Sequence, residues 1–371
     1  MWKLQENALS KKDLFKLSKY ILKTKTLTQG KEVKQFEKNF SNWNQSKYSV
    51  FVNSGSSANL LIIYAAKEFY KWKNNDEIIV PSLTWPTTVN PVIQAGLKPV
   101  FLDTNFEDLS INYDDLKKKI TKRTKGIFIA HILGFPANIN KIKKIIKNKN
   151  IKLFEDCCES YGAKINKKKI GNFGIASSYS FYWAHHMTTI EGGMITTNNL
   201  NFYNLCKIKR SHGFARELDE RQHAKIKKRY KNIDFSFLFL SDGFNLRSTN
   251  MNAYIGINQL KKLDSFIKLR NKNYKKFINC LKPYKANFHI INYSNYRDMS
   301  SFALPLIFKK NFHLKEFCKL LIKNKIEFRP LVSGDLTKQP YLKKFKSKNK
   351  YCEIVSKNAI YIGNNQFLTS K

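Results

Sequence analysis

The chain of 371 residues carries 67 lysine and arginine residues against 27 aspartate and glutamate residues, a formal net charge of +40. Hydrophobic residues make up 42% and aromatic residues 14%, which excludes a disordered chain and predicts a large buried core. The N-terminus lacks an apolar signal region and no apolar run approaches the ~20 residues that span a bilayer, so we expect a soluble, cytoplasmic protein.

The first half of the chain alternates short apolar strands with helical patterns. YSVFVNSGSSANLLIIYAAKEFYKW predicts a strand, a turn and a helix that opens at residues 56–58. Further strands are predicted at DEIIVPS, LKPVFLDT, TKGIFIAHILG, IKLFEDCCES and SSYSFYW, and helices at TTVNPVIQAG and INKIKKIIKNKN. This alternation is typical of a mostly parallel sheet with helices on both faces.

The pattern changes near residue 250. Residues 250–281 form one long segment with apolar positions at three-to-four spacing, which predicts an amphipathic helix. FALPLIF, LKEFCKLLIKNKI and EFRPLV then predict a strand, a helix and a strand. We therefore expect a large α/β domain at residues 1–250 and a smaller α+β domain at residues 251–371.

Two segments place polar groups where strands of a parallel sheet end. In NSGSSANLL (53–61), small residues at the start of a helix leave backbone N–H groups free to bind an anion, although an ordinary turn has the same features. Asp156 ends the apolar strand IKLFED, where its carboxylate can either hold a protonated ring nitrogen or cap a helix.

Four further side chains have both a functional and a packing interpretation. Trp85 either stacks on a planar ligand or packs in the core, and the Ser180 hydroxyl either binds a phosphate or packs within a strand. The side chains of His185 and His186 diverge on a strand, which argues against a shared metal. A general base is the better functional interpretation, because a neutral imidazole titrates near working pH.

The order of these motifs resembles the sugar aminotransferases of the DegT/DnrJ/EryC1/StrS family. The similar segments begin at LTQGKEVKQFEKNF and continue through SGSSA, VPSLTWPTTVNPVIQAGLKPVFLD, FEDCCESYGA, SFYWAHHMTTIEGG and GFNLRSTNMNAYIG, so they cover nearly the whole chain. The resemblance implies fold type I of the pyridoxal-phosphate (PLP) enzymes. In this aspartate aminotransferase-like α/β fold, a large domain with a mostly parallel, seven-stranded-type sheet is followed by a smaller C-terminal α+β domain.

The resemblance also implies roles for individual residues. Gly55 and Ser56 would offer backbone amides to the cofactor phosphate, and Ser180 its hydroxyl. Trp85 would stack on the pyridine ring, and Asp156 would pair with its nitrogen.

Other implied roles concern the ring hydroxyl, the substrate and a second subunit. Glu159 stands near the ring hydroxyl, where the aminotransferases usually have Gln. Asn245 would reach the phosphate from the neighbouring subunit, which implies a homodimer with shared active sites. The substrate-binding candidates are His212, Arg216, Arg247 and Arg329.

One position departs from the family pattern. The motif S-x-x-x-x-K places a lysine five residues after Ser180, but the residue there is His185, and no lysine occurs between Lys169 and Lys207. Lysine binds the cofactor covalently and transfers protons, whereas histidine can only transfer protons. Within the family, this replacement implies a nucleotide-sugar 3-dehydratase. L-glutamate converts the cofactor to pyridoxamine phosphate, the C3 hydroxyl of a GDP-linked 4-keto-6-deoxy sugar is removed, and ammonia is released.

Other functions remain open at this point. The residues do not separate GDP from CDP, UDP or dTDP, and GDP follows from the overall resemblance. An aminotransferase with a displaced lysine, a non-catalytic sensor and a nucleic-acid-binding protein are further alternatives, the last supported by net charge alone. A CDP-sugar dehydratase with an iron–sulfur cluster needs four clustered cysteines. This chain has six cysteines and none between Cys206 and Cys280, so we expect reduced thiols and no metal cluster.

Overall fold

The computed structural model describes residues 1–291, 297–309, 314–345 and 347–368. The strands in chain order are β1 Tyr48–Val52, β2 Glu77–Pro81, β3 Lys98–Leu102, β4 Thr124–Ala130, β5 Lys152–Asp156, β6 Lys164–Ile165, β7 Lys168–Lys169, β8 Ala176–Ser180, β9 Gly193–Thr197, β10 Phe288–His289, β11 Arg297–Asp298, β12 Ala303–Phe308, β13 Phe328–Pro330 and β14 Ala359–Gly363.

The α-helices are longer on average than the strands and separate most of them. They are α1 Lys11–Lys23, α2 Lys31–Asn44, α3 Gly55–Phe69, α4 Pro86–Gln94, α5 Tyr113–Lys119, α6 Ile139–Ile145, α7 Leu200–Arg210, α8 Glu220–Arg229, α9 Asn250–Leu281, α10 Leu314–Lys323 and α11 Lys350–Asn358.

Seven strands form the large sheet, in the order β1-β9-β8-β5-β4-β2-β3. Strand β9 is antiparallel to both of its neighbours, and the other pairings are parallel. The predicted mostly parallel sheet is therefore confirmed. Its strands are apolar on both faces because helices cover both faces.

Each face of the large sheet has its own apolar core. On one face, Ile78 and Val80 pack with Leu61 of α3 and Phe202 of α7. On the other face, the intervening Ile79 packs in the core that contains apolar side chains of α2, α5, α6 and α9. Alternate residues of one strand thus fill opposite cores, as the two-residue period of a strand requires.

A second, antiparallel sheet has the order β10-β12-β14-β13 and follows α9 in the chain. The long helix spans Asn250–Leu281, as its apolar period predicts. Residues from the N-terminus also reach this sheet, since the Trp2 indole donates to the Gly363 carbonyl at 2.9 Å. The domain division at residue 250 stays a prediction.

Some elements differ from the sequence-based expectation. The helix predicted for INKIKKIIKNKN ends at Ile145, before the Lys- and Asn-rich residues that follow it. Strand β9 lies within the large sheet and β14 within the four-stranded sheet, and neither was predicted; β6, β7 and β11 form a third, small sheet. Across the described ranges, none of the helices has both the length and the apolarity needed to cross a membrane.

Candidate active site

A cavity of about 330 Å³ opens where the parallel strands of the large sheet end. Its walls come from the first turns of α3 and α4, the ends of β5 and β8, and three side chains near the smaller sheet, Phe302, Val332 and Tyr361. Seven of the predicted site residues line this one cavity. They are Gly55, Ser56, Trp85, Asp156, Glu159, Ser180 and His185.

The first turn of α3 forms one end of the cavity. Ser54 caps the helix by accepting a 3.0 Å hydrogen bond from the Ser57 amide, which leaves the amides of Gly55 and Ser56 without helical partners. A Cβ atom on Gly55 would lie 2.4 Å from the Ser180 Cβ, so only glycine allows the helix to approach β8 this closely. Backbone donors, the helix dipole and the Ser180 hydroxyl together make an anion site.

Asp156 is held as a hydrogen-bonded carboxylate at the end of β5. Its Oδ2 accepts from the Asn59 amide at 2.8 Å and from the Thr88 hydroxyl at 2.9 Å, and its Oδ1 accepts from the Cys158 backbone at 3.1 Å. The side chain is 7% exposed and lines the cavity. A buried carboxylate fixed in this way can pair with a cationic N–H group of a ligand.

Sequence reasoning missed the two side chains that orient Asp156. Asn59 and Thr88 are fully buried on helices α3 and α4. A polar residue on the apolar face of a helix was the available signal, because buried amides and hydroxyls need a partner. The partner itself is not visible in the sequence, since residues 59 and 156 are 97 positions apart.

Trp85 lies at the mouth of the cavity. It precedes α4 as its N-cap residue, and its side chain is 58% exposed although it is large and apolar. The packing interpretation of this residue is therefore wrong. An exposed indole beside a cavity is suited to stacking on a planar ligand.

His185 lies in the loop after β8 with its ring between aromatic side chains. The ring centroid is 5.4 Å from that of Phe302 and 6.5 Å from that of Tyr161. Its Nδ1 atom is buried without a hydrogen-bond partner in the described structure. Burial, assisted by the nearby Arg270 cation, lowers the pKa of His185 to about 3, so the imidazole is neutral near pH 7.

His186 points away from the cavity. Its Nε2 lies 3.2 Å from the Ser300 carbonyl and 3.1 Å from the Ser300 hydroxyl, and the side chain is fully buried. Burial lowers the pKa of this ring well below the usual value. His186 therefore connects the loop to the residues that precede β12, which is a structural role.

Glu159 faces the cavity and accepts a 2.8 Å hydrogen bond from the Leu133 amide. Burial, with a smaller contribution from the charge of Asp156, raises the pKa of Glu159 to about 7. This carboxyl group can therefore either donate or accept a proton near neutral pH.

Four of the other predicted site residues lie on the surface of the single chain, outside the cavity wall. Asn245 accepts a 3.0 Å hydrogen bond from Arg247, and the Arg216 guanidinium lies 3.9 Å over the Phe214 ring. His212 is exposed, with φ of +58°.

Arg329 is also exposed, on the edge strand β13 of the smaller sheet. It pairs in register with Tyr361, which lines the cavity. The roles of these five residues stay predictions.

A profile of the DegT/DnrJ/EryC1/StrS aminotransferase family matches residues 9–363. The chain belongs to this family. It is 37% identical over 357 residues to the GDP-4-keto-6-deoxy-D-mannose 3-dehydratase of Yersinia pseudotuberculosis, which covers 93% of this chain and 90% of that protein.

Solved structures of an enzyme of the same name are similar over nearly the full length. The Escherichia coli enzyme with bound hydrated PLP superimposes with a TM-score of 0.90, is 34% identical, and covers 99% of this chain and 96% of its own. A structure with a trapped PLP-glutamate geminal diamine has the same TM-score and coverage and is 33% identical.

The residues of the cavity fit a planar, phosphorylated heterocycle. A helix N-terminus, a fixed carboxylate and an exposed indole are the groups that would bind a phosphate, a ring N–H and a ring face. Among the described residues of the cavity wall there is no lysine. His185 occupies the sequence position where the family motif has that lysine.

Proposed function

We propose that the protein is a PLP-dependent 3-dehydratase that removes the C3 hydroxyl of GDP-4-keto-6-deoxy-D-mannose, with L-glutamate as amine donor. The observation that supports this most is the neutral His185 ring in a cavity that otherwise fits the cofactor and has no lysine in its described wall. The similarity to dehydratases along almost the entire chain supports the substrate.

Each part of the cavity would hold one part of the cofactor. The amides of Gly55 and Ser56 and the Ser180 hydroxyl would bind the phosphate. Asp156 would accept from the ring nitrogen and keep it protonated, and Trp85 would cover one ring face. When bound, the cofactor supplies an electron-withdrawing ring that stores the electron pair left by a broken C–H bond.

His185 would move the protons of the reaction. Its neutral imidazole would accept the proton of the C–H bond that breaks, and the resulting imidazolium would return that proton to the departing C3 oxygen. It cannot bind the cofactor covalently or displace the product amine, so water releases the product and ammonia. Glu159, protonated in part near pH 7, would share a proton with the ring hydroxyl.

The substrate anions and a second subunit would complete the site. Arg216, Arg247 and Arg329 would offer guanidinium groups to the diphosphate or to the carboxylate of glutamate. His212 lies near Arg216, since both contact the Phe214 ring. Asn245 would act in the site of the neighbouring subunit, so the active unit is a homodimer. A cytoplasmic location and the absence of an iron–sulfur cluster stay predictions from the sequence.

The proposal is tested by incubating the protein with PLP, L-glutamate and 4-keto-6-deoxy sugars linked to GDP, CDP, UDP or dTDP. We expect the GDP-linked sugar to lose one oxygen atom by mass, with one 2-oxoglutarate formed for each turnover. A sugar that gains an amino group would instead identify an aminotransferase. Loss of oxygen from only a CDP-, UDP- or dTDP-linked sugar would keep the reaction and correct the nucleotide.

A further inference from the structure

Arg270 is a buried cation behind the active site. It lies in the middle of α9, its side chain is 0% exposed, and it is one of the largest fully buried side chains described. Its hydrogen-bond acceptors are neutral: the carbonyls of Phe302 and Asn364 and the side-chain oxygen of Gln5. Among the described residues, no carboxylate lies within ion-pair distance of it. Burying a charge without a counter-ion is costly, which calls for a specific role.

Two chains of contacts lead from Arg270 to His185. In the first, Nη2 donates to Gln5 Oε1 at 3.1 Å, and Gln5 Nε2 donates to the His185 carbonyl at 3.4 Å. In the second, Nη1 donates to the Phe302 carbonyl at 3.0 Å, and the Phe302 ring lies 5.4 Å from the His185 ring. One guanidinium therefore fixes both the backbone of His185 and an aromatic side chain beside its imidazole.

The charge of Arg270 acts on the same ring. A cation close to an imidazole in a region of low dielectric opposes a second positive charge there. Burial is the main cause that lowers the pKa of His185 and of His186, and the Coulombic effect of Arg270 lowers both further. Burial lowers the pKa of Arg270 itself to about 9, so it remains charged at neutral pH.

Other titratable groups surround His185 and bear on its protonation. They are His186 next in the chain, Tyr161 and Tyr182 at its ring, Cys158 and Glu159 after β5, Asp156 across the cavity, Glu191 before β9, and Tyr361 of β14. The carboxylates among these groups would favour an imidazolium, whereas burial and, after it, the Arg270 cation oppose a positive charge on the His185 ring.

We propose that Arg270 and Gln5 are positioning residues that hold the His185 ring in place and unprotonated, so that it starts each turnover as a base. The inference rests on the proposed function, because it takes His185 as the proton carrier. Neither residue touches the cavity, and both act through His185 and Phe302.

Gln5 offers the cleaner test, because replacement of the buried Arg270 could prevent folding. Gln5→Glu places a counter-ion 3.1 Å from the guanidinium with little change in shape, whereas Gln5→Met removes both hydrogen bonds without adding charge. Glu6→Gln, a change at the neighbouring and more exposed position, is the matched control.

The first readout is the protonation of His185, followed by NMR of 13Cε1-labelled histidine and assigned with a His185→Asn sample. Between about pH 5 and 8, the wild type and Glu6→Gln should show a neutral ring throughout. With the titration extended to about pH 3, Gln5→Glu should show a higher midpoint for His185 than the wild type, because the new carboxylate offsets the Arg270 cation. An unchanged midpoint in Gln5→Glu would overturn the proposed electrostatic role.

The second readout is turnover. Gln5→Met should lower kcat about tenfold with KM for the sugar nucleotide changed less than about twofold, because the proton carrier and not the binding site is disturbed. An unchanged kcat in Gln5→Met would overturn the positioning role. If His185 titrates as expected in Gln5→Glu but no sugar is dehydrated by the wild type, the effect of Arg270 and Gln5 on the His185 ring stands, while its role as a base and the proposed function fail.

Discussion

At the residue scale, two adjacent histidines have different roles because their side chains face opposite sides of one loop. His185 lines the cavity, whereas His186 is bound to Ser300. The sequence HH marks both residues equally. Only the packing of the loop against Phe302 and Ser300 distinguishes the proton carrier from the structural residue.

Replacing His185 by lysine should restore covalent attachment of PLP. The new amine would lie in the cavity at the family's lysine position, so borohydride reduction should fix one cofactor per chain, detected by intact mass. Dehydration should fall by at least about a hundredfold, because the returning proton is misplaced. His186→Asn is the control and should leave the cofactor non-covalent. A His185→Lys protein without attached cofactor would contradict the alignment of this loop with the family motif.

Glu159 should control a step near neutral pH. Its pKa is raised to about 7 in the folded state, so the folded protein keeps a proton that the unfolded chain loses above pH 4.5. Its contribution to stability is therefore full below pH 4.5 and is lost as the pH rises through about 7. As the pH rises from 4.5 to about 7, the free energy of unfolding of Glu159→Gln in urea titrations should increase relative to that of the wild type.

The same variant should also lose the transition near pH 7 from the pH profile of kcat. A transition that is retained would exclude Glu159 as the group that titrates there.

At the element scale, the close approach of α3 to β8 builds the anion site. Gly55→Ala should weaken PLP binding by about tenfold or more, because the added Cβ would meet the Ser180 Cβ at 2.4 Å and push the helix end away. Ser56→Ala is the matched control, since its exposed side chain can be lost while its amide remains. If fluorescence titration gives Gly55→Ala and the wild type the same affinity for PLP, the result would argue against this anion site at the start of α3.

Much of the element pattern could be predicted, because strands and helices of the large domain have clear apolar periods. Asp156 and Trp85 could also be placed, since Asp156 ends one predicted strand and Trp85 follows another. Asn59, Thr88, Gln5 and Arg270 could not, because each acts through a partner far away in the chain. Strand β9 was missed because its five residues, GMITT, are too short a run to show a period of their own, and pairing between β1 and β8 specifies it.

At the scale of the whole molecule, a second subunit would explain apolar surface on the single chain. Helix α1 has no buried residue, and its apolar side chains Phe15 and Leu22 are 59% and 86% exposed. Phe237, elsewhere in the chain, is 67% exposed. Exposed apolar groups of this size are typical of an interface. We expect a dimer in sedimentation equilibrium.

A shared active site can be tested by mixing two inactive variants, His185→Asn and Asn245→Asp. A hybrid dimer would contain one site with both changes and one intact site, so random mixing should recover about a quarter of wild-type activity. Each variant alone should stay inactive, and the separate proteins should recover activity only after subunit exchange. No recovery in a verified hybrid would show that one subunit supplies both Asn245 and His185 to a site.

The fate of the glutamate nitrogen tests the central claim most directly. With 15N-labelled L-glutamate, a 4-keto-6-deoxy sugar linked to GDP and the wild-type protein, an enzyme that uses His185 and lacks an imine-forming lysine should release 15N-ammonia in step with 2-oxoglutarate. The sugar product should contain no 15N and one oxygen atom fewer than the substrate. A product that carries 15N at C4 with its C3 oxygen retained would show a transaminase and contradict the role given to His185.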